Sequence, residues 1–282
     1  MGWRLLPYAI GNPAWNMAVD EAIFQTYLEG GVPPTLRFFG WDPATLSVGY
    51  FQDLEREIRL DRLRELGYGL VRRTTGGRAV LHDRELTYTV VAGVRDGLPD
   101  GLRDSYLYIS KALAGAFQTY GITVSLHATG APRHARSGAC FEAPSWYELT
   151  VDSRKLVGSA QYRKSGSFLQ HGSILLSFSP AQLGSLLKTA ATGPALEDEL
   201  ERKVISFAGL GRSISPDELA GRIVAAFTDL YRIEFQTGTL SPVERERADR
   251  LMSQKYANPE WTYRRGVNEL RDAFPEAAIE IR

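Results

Sequence analysis

The chain contains one cysteine, Cys140, at the end of a stretch, His127–Ala139, where hydrophobic periodicity vanishes and small, basic and glycine residues dominate. A lone thiol is either core filler, the commoner fate of free cysteine, or a reactive group. Reactivity belongs to the thiolate, which needs a cation or base close by. Lys155, in the run Arg154–Gln161, opens an expected strand one hairpin away from Cys140. Its ammonium would favour the thiolate if the two side chains met. The plainer reading is a solvated turn lysine, and at the level of spacing both stand.

Two further clusters carry chemical potential. Arg72 to His82 sets Arg73, Gly76, Gly77 and His82 together. Paired glycines let backbone amides approach a ligand, and arginines suit phosphate or carboxylate. A basic hairpin turn is the alternative. Phe168 to Leu176 contains His171 followed by Gly172, and a strand glycine often marks a close approach of ligand or backbone. His171 would shuttle a proton or simply hydrogen-bond in the core. Gly158, in the small run Gly158-Ser159-Ala160, leaves room for a narrow apolar slot. His82, His127 and His134 show no metal-ligand spacing with Cys140, so no metal site is expected. No phosphate-binding P-loop, dinucleotide fingerprint or nucleophile elbow is present.

The elements that must hold these residues follow from periodicity and punctuation. Strands are expected over Trp3–Tyr8, Thr35–Phe39, Thr45–Tyr50, Leu70–Arg73, Ala79–His82, Leu86–Ala92, Tyr147–Val151, Lys155–Gln161 and Phe168–Phe178. Helices are expected from the Asn12-Pro13 cap to Leu28, over Leu54–Leu66, from Asp104 to before Gly121, and over Ala181–Lys188, Pro216–Tyr231 and Pro242–Lys255. His127–Ala139 reads as a functional loop, Ala190–Lys203 as a loose linker, and Tyr256–Arg282 as a late-packing surface tail. The class is α+β, a mixed α/β domain.

At 282 residues, 44% hydrophobic and 23% charged, the chain is long enough for one large core. Lys plus Arg and Asp plus Glu are balanced at 33 each, which gives no global field toward nucleic acid or membrane. The lone cysteine forbids an internal disulfide and suits a reducing cytoplasm. Neither a secretory signal nor a membrane-length apolar run is read, so a soluble cytoplasmic protein is expected.

Taken in order, these clusters resemble the biotin/lipoate protein ligase and octanoyltransferase superfamily. RRTTGGRAVLHDRELTY (Arg72–Tyr88) is similar to its arginine-glycine substrate loop. KLVGSAQYRKSGSFLQHGSILL (Lys155–Leu176) is similar to its lysine and histidine-glycine strands, and NPAWNMAVDEAIF (Asn12–Phe24) to its opening helix. The resemblance spans roughly residues 10 to 265. GACFEAPSWYEL around Cys140 looks most like the octanoyl-carrier-protein:protein octanoyltransferases, and Gly76-Gly77-Arg78 departs from the Gly-Gly-Gly of the ATP-dependent ligases.

The resemblance implies a class II biotin/lipoyl synthetase-like fold, a mainly antiparallel mixed sheet flanked by helices. It implies a catalytic domain over 1–265 with a tail over 266–282. Cys140 becomes the acyl-thioester nucleophile and Lys155 the residue that lowers its pKa. Arg73, Gly76, Gly77, His82, Gly158, His171 and Gly172 become the lining of the acyl and pantetheine groove. The implied donor is an octanoyl acyl carrier protein, with an octanoyl amidotransferase acting between lipoyl proteins and an ATP-dependent lipoate-protein ligase as the alternatives. The implied acceptor is a lysine of a lipoyl-domain protein, such as the glycine cleavage H protein or a 2-oxoacid dehydrogenase E2 component. Neither cofactor nor metal is expected, nor a nucleic-acid or membrane partner, and the enzyme is expected to act as a monomer.

Overall fold

A computed structural model describes residues 2–127 and 148–264. Its main sheet has eight strands: β1 (Gly2–Gly11), β2 (Thr35–Trp41), β6 (Glu85–Gly93), β7 (Ser125–His127), β8 (Glu148–Val151), β9 (Arg154–Lys164), β10 (Ser167–Leu175) and β11 (Glu234–Thr237). Their order is β11-β1-β2-β6-β10-β9-β8-β7. β1 runs parallel to β2 and β11, and every other pairing in this sheet is antiparallel. A second, three-stranded sheet, β4-β3-β5, joins β3 (Thr45–Val48), β4 (Gly69–Arg72) and β5 (Val80–His82). This is the mixed α+β arrangement read from the sequence.

Helices cover both faces of the large sheet. α4 (Leu102–Gln118) and α7 (Pro216–Tyr231) close one face over a core that includes Trp3, Phe38, Tyr88, Phe117, Phe168 and Phe227. α1 (Pro13–Leu28) lies on the other face, with α8 (Pro242–Leu251) packed outside it. Asn12 caps α1 by accepting from Trp15 N at 2.9 Å, and Pro13 occupies the first turn, where a missing N–H costs nothing. Because α1 is enclosed between sheet and helix, its polar residues Asn16, Asp20 and Glu21 are buried along with its apolar ones. Buried polar groups need partners, and Asp20 finds its own in Arg37, Thr89 and His171.

The small sheet packs with α2 (Leu54–Glu57), α3 (Leu60–Glu65), α5 (Pro180–Leu186) and α6 (Pro194–Lys203) around a third cluster that includes Leu46, Leu63, Leu183 and Leu200. Three expectations change here. The helix expected over Leu54–Leu66 is two short helices. Ile58 leaves helical geometry (φ −122, ψ 138), is wholly buried, and bridges Leu187. A tertiary pairing has overridden local propensity there. The stretch Ala190–Lys203 is not loose, because it contains α6, which buries Leu196 and Leu200 at i,i+4 spacing under a charged outer face.

The tail expected from Tyr256 is also corrected as far as Arg264. Met252–Tyr256 and Glu260–Arg264 are wide helical turns that bury Tyr256 and Trp261. Lys255 donates to both carboxylate oxygens of Glu21 at 3.0 and 2.8 Å, and Trp261 Nε1 donates to Arg72 O at 3.0 Å. Among the described residues no helix is long and apolar enough to cross a membrane.

Candidate active site

Antiparallel register decides which residues share the face under α1. His171 pairs with Ala160 on one side and Thr89 on the other, and Ser173 pairs with Gly158 and Thr87. Alternate side chains of a strand point to the same face, so Gly158, Ala160, Thr87, Thr89, His171 and Ser173 form one surface. A cavity of about 20 Å³ lies on it, walled by Met17, Trp41, Arg73, His82, Gly158 and Ala160, among others. Five of the seven expected groove residues, Arg73, His82, Gly158, His171 and Gly172, thus surround one cavity.

The other two, Gly76 and Gly77, lie in the loop above it. Gly77 has φ +89, a left-handed conformation that glycine adopts without strain. A Cβ placed on it would lie 4.0 Å from the Ala160 Cβ, so the turn covers the cavity floor. Gly172 has a different task from the one its position suggested. A Cβ there would lie 2.6 Å from both Ser159 Oγ and Tyr88 Cε1, on the opposite face of the sheet. Tyr88 Oη and Ser159 Oγ are 2.8 Å apart beneath it. Gly172 makes room for that buried tyrosine.

The two arginines before the glycines point inward. Arg72 is wholly buried; it donates through Nε to Thr262 O and through one terminal nitrogen to the carbonyls of Gly49, Tyr50 and Gln52, each at 2.9 Å. Arg73 donates to Ser47 Oγ at 2.7 Å and to the carbonyls of Gly76 and Arg78 at 3.1 and 3.0 Å. It braces its own loop from below.

Both expected histidines are buried and bonded. His82 Nε2 lies 2.7 Å from Ser47 Oγ, its ring stacks on Trp41 at 4.2 Å between centroids, and Nδ1 is 3.3 Å from Glu85 Oε1. His171 Nε2 lies 2.7 Å from Thr75 Oγ1 and Nδ1 lies 3.2 Å from Asp20 Oδ2. Asp20 in turn accepts from Arg37 at 2.5 Å and from Thr89 Oγ1 at 2.8 Å. Burial alone would raise the Asp20 pKa, but the Arg37 guanidinium and the hydrogen bonds from His171 and Thr89 leave it below the ordinary value. Burial pushes His171 the other way, below its ordinary value, against the pull of Asp20. Near neutral pH the pair is therefore a carboxylate and a neutral imidazole.

Lys155 sits in β9, buried, opposite Thr150, and its carbonyl accepts from Ile205 N at 3.0 Å. Gly158 of the cavity wall lies a little further along the same strand. Cys140, with most of the loop expected over His127–Ala139, lies outside the described residues.

A profile of the lipoyl protein ligase A/B catalytic domain matches residues 12–228 of the chain. The chain belongs to that family. Among relatives of the lipoyl protein ligase A/B family, octanoyltransferase LipM of Moorella thermoacetica is 46% identical over 93% of this chain and 98% of its own. LipM of Bacillus subtilis is 37% identical over 93% and 98%. Among solved structures, the bipartite lipoate protein ligase of Thermoplasma acidophilum superposes with a TM-score of 0.77 at 25% identity, over 93% of this chain and 96% of that one. Lipoate-protein ligase A bound with ATP gives 0.76 at 25% identity, over 93% and 99%.

Several residues bonded into this candidate site were not singled out from sequence: Asn16, Asp20, Arg37, Ser47 and Thr75. A signal existed in α1, where Asn16 and Asp20 stand at i,i+4 spacing among Met17, Ala18, Val19, Ala22 and Ile23. Polar residues one turn apart in a helix apolar on all sides point to buried hydrogen-bond work. Ser47 is a single hydroxyl between Leu46 and Val48, and Thr75 is one of two adjacent threonines, so no spacing marks either.

Proposed function

We propose that this chain is an octanoyltransferase of lipoate biosynthesis, which takes an octanoyl group from an acyl carrier protein onto Cys140 and delivers it to a lysine of a lipoyl domain. The small apolar cavity walled by Gly158, Ala160 and Met17, with Arg73, His82 and His171 in its lining, supports the reading. At about 20 Å³ it has room for one water-sized probe. An eight-carbon chain enters by displacing wall side chains, and each methylene it buries contributes about 0.8 kcal/mol.

The chemistry is two acyl transfers. The Cys140 thiolate adds to the thioester carbonyl carbon, the carbonyl π electrons move to oxygen, and collapse expels the pantetheine thiolate, which takes up a proton. One thioester replaces another, so the step needs no ATP. The neutral ε-amine of the acceptor lysine then adds to the acyl-enzyme carbonyl, loses a proton, and expels the Cys140 thiolate to leave an amide. Lys155 stands as the cation that keeps the thiol ionised in the first step. The amide is more stable than the thioester, which drives the second step.

We further read 1–265 as one catalytic domain extended by 266–282, acting as a monomer in the cytoplasm. The test is intact-protein mass spectrometry after incubation with octanoyl acyl carrier protein, with and without ATP. The expected result is a gain of one octanoyl group without ATP, absent in Cys140→Ser. Transfer by Cys140→Ser at the normal rate would overturn the covalent route, and strict ATP dependence would assign the chain to the ligases instead. Because Cys140 is the lone cysteine, iodoacetamide reports its thiolate directly, and Lys155→Ala is expected to slow that alkylation near neutral pH.

A further inference from the structure

The Gly76-Gly77 turn is held from beneath by a chain of hydrogen bonds drawn from four separate parts of the fold. Asp20 comes from α1, His171 from the middle of β10, Thr75 from the turn itself and Arg73 from just past the end of β4. All four are buried. The direction of each bond follows from donor and acceptor chemistry. Asp20, paired with Arg37, is ionised and only accepts, so His171 Nδ1 carries the ring proton. The imidazole is then neutral with Nε2 as its acceptor, so the Thr75 hydroxyl donates to it. Arg73 draws the carbonyls of Gly76 and Arg78 inward. The N–H groups of Gly76 and Gly77 have no hydrogen-bond partner among the described residues, while Gly77 is exposed and Gly76 half-buried.

We infer that Thr75 and His171 are positioning residues for acyl loading: with Asp20 setting the ring tautomer, they fix the Gly76-Gly77 turn so that its free N–H groups meet the polar head of the incoming acyl thioester. The inference rests on the octanoyltransferase reading and adds to it the residues that place the donor. A neutral imidazole locked by a carboxylate suits the task, because it offers a single acceptor in a fixed direction. Thr75 is tied to the sheet through that acceptor and to Tyr50 N through its own carbonyl at 2.9 Å. The turn therefore cannot lift without breaking bonds made by the buried Thr75 and His171.

Single-turnover kinetics separate this role from general support of the fold. Full-length wild type, Thr75→Val and Thr75→Ser are each mixed with octanoyl acyl carrier protein to follow loading. Each acyl-enzyme, loaded to completion and isolated, is then mixed with a lipoyl domain to follow delivery. Thr75→Val is expected to slow loading on the order of 10–100-fold, as a misplaced reactant does, and to leave delivery within about twofold. Thr75→Ser, which keeps the hydroxyl, is expected to load like wild type. Equal loading by Thr75→Val and wild type, or equal slowing of both steps, would overturn the inference. Nitrogen-15 NMR of wild-type His171 provides a readout that needs no variant: Nδ1 protonated and Nε2 bare is expected, and the reverse tautomer would overturn it. If wild type itself forms no acyl-enzyme, the octanoyltransferase reading fails first and the inference falls with it.

Discussion

Gly49 and Gly77 meet backbone to backbone: a Cβ built on Gly49 would lie 2.0 Å from the Gly77 carbonyl oxygen. The end of β3 and the turn over the cavity are thus in direct contact, with no side chain between them. Gly49→Ala must push the turn away, since backbone on both sides cannot yield as a flexible side chain would. The expected cost in urea denaturation is about 1–3 kcal/mol, the usual range for overpacking. Acyl loading should fall more steeply than that loss predicts, because the displaced part is the turn over the slot.

Ala160 lies on the cavity floor, opposite His171 in β10 and under Gly77. Ala160→Val adds two methyl groups to a space that is already narrow. Selectivity should move toward shorter acyl donors, with octanoyl disfavoured against butyryl by about 10–200-fold, the range for one or two carbon groups in an apolar pocket. Competition between the two carrier-bound acyl groups measures the ratio, and an unchanged ratio would place the acyl chain elsewhere.

Lys255 pins the last described segment to α1 through Glu21, and its ammonium also lies 4.2 Å over the Trp261 ring. Tyr256 Oη donates to the same carboxylate. Lys255→Met leaves a buried carboxylate without its cation and is expected to cost roughly 3–5 kcal/mol in urea denaturation. Adding Glu21→Gln removes the stranded charge, so the double variant should be less destabilised than the single one. A double variant that is worse than the sum of its parts would contradict this pairing.

Stability should fall on acidification in two stages. Burial holds His171 below its ordinary 6.5, so the unfolded chain binds that proton first. The stabilisation is complete above about pH 6.5 and declines as pH drops toward the lowered folded-state value. Asp20 and Glu244 are likewise held below 3.8 and 4.5. Burial opposes both shifts; Arg37, His171 and Thr89 together outweigh it at Asp20, and Arg4 with Ser241 outweighs it at Glu244. Their contributions are complete above those values and are lost below them. Urea midpoints across pH 3 to 8 should show both declines, and His171→Gln should remove the upper one only.

The local layer of this protein was legible in its residues. The Asn12-Pro13 cap, the strand over Lys155–Gln161 and the glycine turn at Gly76-Gly77 each follow from backbone propensities within a few positions. So did the gathering of His82, Gly158 and His171, through motif order and not geometry. Tertiary structure alone decided the rest. Asp20 reaches His171 across 151 positions, a contact that no window of neighbouring residues contains. Ile58 breaks a helix because Leu187 is there to pair with it. Gly172 faces Tyr88 while His171 and Ser173 face the slot, because a strand alternates sides and only pairing with β6 and β9 sets which side is which. Residue types limit what a site can do, while the long-range register of strands and the burial of charges decide which of them meet.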